Sequence, residues 1–151
     1  MITIILHTII IIERHSEFNI HEMTTIRNMI KRYILNPDKS IQLEPNLNTW
    51  HIWYQKFDSH LFRSEFNLNC KLLGAVTLTF EEIVVSTVFL GIDHQINDNA
   101  PPLIFETQIF VDGQSIDNEE VRYSTYREAR LGHYLKVDRI KALYRQKGYT
   151  L

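Results

Sequence analysis

Apolar positions in this chain fall mostly in short runs divided by polar turns, and only two stretches repeat with a helical period. Residues 30–35 (IKRYIL) read as a strand, and Asn36-Pro37-Asp38-Lys39 has the residue chemistry of a turn. Residues 40–43 can return as the hairpin partner. Pro45 and Asn46 then break the strand. In residues 47–57 (LNTWHIWYQKF), Leu47, Trp50, Trp53, Tyr54 and Phe57 recur at spacings of three and four, as on one face of a short helix. Such a stripe belongs in a core. Residues 60–66 (HLFRSEF) predict a strand, residues 67–69 a turn, and residues 71–80 (KLLGAVTLTF) a further β-rich run. Residues 83–92 (IVVSTVFLGI) are almost wholly apolar, β-branched or aromatic, as in a central strand buried on both faces.

Residues 93–102 (DHQINDNAPP) cannot continue that strand and form a loop. Residues 103–111 (LIFETQIFV) then return antiparallel, and Asp112-Gly113 opens a polar loop to about Glu120. The second helical stretch starts at Ser124 or Thr125. Thr125 with Glu128 fits a capping box, and Gly148 follows Lys147 as a stop. At about 100° per residue, Tyr126, Ala129, His133, Val137, Ile140 and Tyr144 share one face, which should lie on the sheet. These elements give an α+β fold. It has an antiparallel sheet of four to six strands against one long C-terminal helix, with one short helix beside it.

Residues 1–12 (MITIILHTIIII) are too few to cross a bilayer, which takes about 20. Glu13, Arg14 and His15 follow the run and no base precedes it, unlike a secretory signal. Its isoleucines and threonines favour a strand, which as a bare edge would invite self-association. Residues 1–22 are therefore set apart as an extension, with 23–151 as the single domain. Met23 and Met29 are alternative starts to Met1.

The length of 151 residues suits one core. With 44% hydrophobic and 23% charged residues the chain is neither disordered nor collagen-like. A single cysteine, Cys70, excludes an intrachain disulfide and a Cys-rich zinc module. The net charge of −2 points to no polyanion, but it hides a polarity. Residues 81–120 carry nine acids and no Lys or Arg, whereas residues 122–147 carry eight bases and two acids. Arg127, Arg130, Lys141 and Arg145 fall within about 60° of the helix, a row that could hold phosphates through its guanidinium forks, or else be a solvated surface or one complementary to the acidic strands and loops. No HExxH, CxxC or phosphate-binding GxxxxGK(S/T) motif is present, so no cofactor is expected.

Candidate chemistry gathers around the buried hairpin. Asp93 and His94 stand at its strand end, Glu106 lies within an apolar strand, and His133 lies on the helix face turned to the sheet. Together they could bind a divalent metal or act as general acid and base. Each also has a structural reading. Asp93-His94 would cap the loop's backbone, Glu106 would pair with a base of the last helix, and His133 would be a hydrogen-bonded core residue.

Residues 86–94 (STVFLGIDH), 101–107 (PPLIFET) and 122–133 (RYSTYREARLGH) resemble a group of small uncharacterised proteins carried on phage genomes and viral contigs. That group's pattern is a strand ending in Leu-Gly-Leu-Asp-His, a Gly-rich loop to Pro-Pro, a Phe-Glu-Thr strand, and Tyr-Ser-Thr leading to a helix bearing Gly-His. Here Asn97-Asp98-Asn99-Ala100 replaces the glycines, and extra strand sequence intervenes near residues 68–79. The resemblance implies context and no chemistry. The expected function is a non-catalytic accessory protein of a phage or mobile element, acting in the host cytoplasm and away from membranes. Its partner would be a host protein or a small, nucleotide-like anion. The alternatives are a metal-assisted hydrolase using the Asp93, His94, Glu106 and His133 set, and a self-assembling structural protein.

Overall fold

The computed structural model describes residues 30–69, 80–95 and 99–147, without the side chains of 67–69 and 80–81. The chain divides after Ile30 into two units, and the account below concerns the second, Lys31–Leu151. The N-terminal run 1–12, most of the 71–80 run, Cys70 and the Gly148 stop lie outside the described residues.

The fold is α+β. Strands β1 (Tyr33–Leu35) and β2 (Ile41–Leu43) form a two-stranded antiparallel hairpin. Its turn is closed by Asp38, whose carboxylate accepts from the Ser40 amide at 2.9 Å and from its hydroxyl at 2.6 Å. Lys39 takes the left-handed φ of 70° in that turn, at a backbone cost of about 1–2 kcal/mol. Helix α1 (Leu47–Tyr54) starts on the Asn46 side chain, which accepts from the Thr49 amide. It is three residues shorter than the periodicity suggests, and Phe57 packs on Trp53 from beyond its end. Trp50 is the buried member of its stripe, while Leu47 is exposed.

The main sheet has five strands. Strands β3 (His60–Asn69), β4 (Phe80–Phe89) and β5 (Phe105–Val111) run antiparallel in that order. Strand β6 (Gln114–Ser115) and strand β7 (Val121–Tyr123) both pair with β5. Residues 67–69, expected as a turn, instead extend β3, because Asn67, Leu68 and Asn69 pair with Glu82, Glu81 and Phe80. The stretch after Val111 is likewise no plain loop. Asp112 and Gly113, both at positive φ, make the two-residue turn into β6. Residues 83–90 are all buried, as the unbroken apolar run requires.

At Gly91 the chain leaves the ladder with φ 72°, and a Cβ there would come within 3.0 Å of the Tyr54 ring. The Gly91 carbonyl accepts from the Tyr33 amide at 2.8 Å and from the Trp50 indole at 3.1 Å. The hairpin and α1 are thereby tied to the end of β4.

Helix α2 (Tyr126–Gln146) carries the expected capping box, formed between Thr125 and Glu128. It lies across the face of the sheet made by residues 83, 85, 87 and 89 and their partners 105, 107, 109 and 111. Two apolar clusters result. Ile83, Val85 and Ile109 meet Val137 and Ile140 in one, and Leu35, Phe89, Ile104 and Phe105 meet Ala129 in the other. Near the start of the helix, Gly132 leaves room for Tyr123, whose hydroxyl oxygen lies 2.1 Å from where a Cβ would stand.

Candidate functional site

His133 lies midway along α2 between the two apolar clusters and is 1% exposed. Its Nδ1 is 2.9 Å from Thr87 Oγ1, its Nε2 is 2.9 Å from Ser64 Oγ, and Thr87 Oγ1 is 2.7 Å from Thr107 Oγ1. These four side chains form a polar layer through the core. Burial holds the imidazole below its usual pKa, so it is neutral, with one nitrogen donating and the other accepting. A satisfied layer of this kind sets the register of the helix on the sheet, since a shift of α2 would take both ring nitrogens from their partners and the Ser64 hydroxyl from His133, while Thr87 would keep Thr107. His133 is thus held as a core residue.

Asp93 caps the loop that follows it. Its Oδ1 accepts from the Gln95 amide at 2.8 Å and from the Leu103 amide at 3.0 Å, which holds the two ends of the loop together. His94 continues this mouth through its amide, which donates to the Leu103 carbonyl. Loss of hydration lowers the His94 pKa, and the Arg122 guanidinium lowers it further, against the pull of Glu120 and Asp93.

Glu106 projects from β5 opposite Val88, on the sheet face away from α2. Only 12% of its side chain is exposed, and Arg122 Nε binds its Oε2 at 3.0 Å. The sequence reading placed its base on the last helix. The base instead comes from β7, because Arg122 stands directly across the ladder from Glu106. The other side of Arg122 meets Glu120 at 2.6 Å. Burial raises the Glu106 pKa, and the hydrogen bond from Arg122 opposes that rise.

His94 and Glu106 therefore both stand near Arg122, with Asp93 beside His94, but His133 lies across the sheet from Glu106. Among the described residues, no three His, Cys, Asp or Glu side chains converge as metal ligands.

The basic row divides differently from its helical-wheel projection. Arg127 and Arg145 are 18 positions apart, about 27 Å along the axis, so the four bases form two pairs at opposite ends. Arg127, Arg130 and Arg145 are exposed, and none forms an ion pair with a described residue. Lys141 lies half-buried with its ammonium 5.3 Å from the Phe66 ring centre. The acidic 112–120 segment is answered by other bases. Lys136, buried among the apolar positions of α2, reaches Glu119 Oε2 at 3.2 Å and also the Glu119 carbonyl. Arg139 meets the same carboxylate at 3.4 Å.

Between the members of the row stand exposed apolar side chains. Leu131 and Leu135 are each 60% exposed and Tyr134 is 53% exposed. With Arg127 and Arg130 they occupy about 140° of the outer helix face at 100° per residue. Sequence reasoning followed the inward stripe and passed over this outward one, although the wheel that grouped the bases also shows Leu131 and Leu135 beside them. No described helix is long and apolar enough to cross a membrane. Comparisons with family models, curated proteins and solved structures give no match.

Proposed function

We propose that this chain is a non-catalytic binding protein that docks an acidic, partly apolar protein surface on the outer face of α2. The observation that carries this reading is the division of labour among the bases. Arg122, Lys136 and Arg139 are engaged by glutamates of the same chain, whereas Arg127 and Arg130 form no ion pair with a described residue and stand beside Leu131, Tyr134 and Leu135. Arginine and tyrosine next to desolvatable leucines are the residue types that dominate protein interfaces. Leu131 and Leu135 also border a hollow of about 410 Å³ with Leu103, Arg122 and Tyr123, a place for an apolar side chain of the partner.

The phage-like motifs supply the context. They favour an accessory protein of a phage or mobile element whose partner is a host protein of the cytoplasm. Metal-assisted hydrolysis draws no support from a set of four residues split by the sheet.

A labelled helical peptide presenting two leucines at i and i+4, flanked by glutamates, serves as the test partner. Fluorescence anisotropy should show saturable binding that weakens with added salt. Arg127→Ala with Arg130→Ala should weaken it at least about tenfold, the loss expected from removing two charge-assisted contacts. Absence of binding, or equal binding by the double variant, would overturn the reading.

A further inference from the structure

Beyond the helix face, we infer that the cleft between the β1–β2 turn, the end of α1 and the start of α2 is a binding site for a planar aromatic anion. The cleft has a volume of about 390 Å³, within the range of small-molecule sites. Buried Leu35 and half-buried Leu61 contribute its aliphatic lining. Trp53 and Phe57, stacked with ring centres 4.4 Å apart, supply aromatic surface, and Tyr126 supplies more. All three rings are only partly buried, so their apolar surface is open to a ligand.

The polar groups decide which ligand fits. Lys39 lines the cleft with its ammonium 5.5 Å from the centre of the Tyr126 ring, and it forms no ion pair with a described residue. It is held there by a turn position with φ 70°, which glycine would occupy without strain. Asp58 also lines the cleft, its Oδ1 accepting from the His60 amide at 3.0 Å and standing 3.4 Å from His60 Nδ1, while Asp38 at the turn accepts the Ser40 amide and hydroxyl on one oxygen. Lys39, paired with no acid among the described residues, would meet the negative group of a ligand, while the rings meet its flat apolar part. A nucleoside phosphate and an aryl carboxylate share this chemistry.

Calorimetric titration of the full chain with AMP and with indole-3-acetate separates these two sources, with adenosine and inorganic phosphate as the uncharged and ringless controls. At least one of the two aromatic anions should bind about tenfold or more tightly than either control. Lys39→Gly removes the ammonium and relaxes the turn, so it should lose that binding about tenfold without lowering the melting temperature. The inference is overturned if neither anion binds, if adenosine or phosphate binds equally well, or if Lys39→Gly binds unchanged.

Discussion

Ser86 and His133 are both polar and buried in this core, yet their situations are opposite. Ser86 is 3% exposed and its hydroxyl has no hydrogen-bond partner among the described residues. A buried hydroxyl left unpaired costs about 1–3 kcal/mol. Ser86→Ala should therefore raise stability by about 1 kcal/mol, read as a higher denaturation midpoint with unchanged slope. His133 is satisfied on both nitrogens, and its sensitivity is to pH. Above its ordinary value of 6.5 the ring is neutral in both states. Below that value the unfolded ring takes up a proton that the buried ring refuses, so stability falls as pH falls towards the folded-state pKa. The slope is at most about 1.4 kcal/mol per pH unit for one group. His94 shares this direction. Glu106 has the opposite sign, since its folded carboxyl keeps its proton above 4.5 and gains relative stability as pH falls through its raised pKa. His133→Gln, which can still bond both hydroxyls, should flatten the decline between about pH 7 and pH 5.5 in denaturant titrations. An unchanged slope would assign the decline to another group. The core placement of His133 was legible from the wheel alone. Its partners Ser64 and Thr87 were not, because they lie 69 and 46 residues away and depend on strand register.

Elements whose signals are local were the legible ones. The hairpin, the Thr125–Glu128 capping box and the antiparallel 83–111 pair each rest on residues close in sequence or on an unbroken apolar run. Thr125→Ala should cost about 1 kcal/mol, by loss of the Glu128 amide's acceptor, and thermal melting would report it. Strands β6 and β7 were missed although Asp112-Gly113 is a strong two-residue hairpin signal. What hid them is length. Two and three residues carry no alternation, and they exist because β5 offers an edge for them to pair with. Glu106 follows the same logic, since its base came from the neighbouring strand and not from the helix. Gly132 belongs to α2 but answers to β7. Gly132→Ala should gain helix propensity of about 1 kcal/mol, yet it drives a methyl into Tyr123, with overpacking of about 1–3 kcal/mol. The net effect should be destabilising, and the combination with Tyr123→Leu should be less destabilised than the sum of the single changes.

Across the whole molecule, a net charge of −2 conceals an ordered exchange between an acid-rich middle and a base-rich end. Arg122, Lys136 and Arg139 neutralise Glu106, Glu119 and Glu120 within the fold. Among the described residues no acid pairs with Arg127 or Arg130, which flank the exposed leucines on the outer face of α2. The polarity was plain in the sequence, but which bases would be used internally was not, because that depends on how β7 and the 112–120 segment meet the helix. Charge exchange tests the resulting surface most directly. Arg127→Glu with Arg130→Glu should abolish binding of the glutamate-flanked leucine peptide and create binding to the same peptide with lysines in place of the glutamates. If the reversed protein keeps its preference for the acidic peptide, or binds neither while remaining folded, the outer face of α2 is not the docking surface.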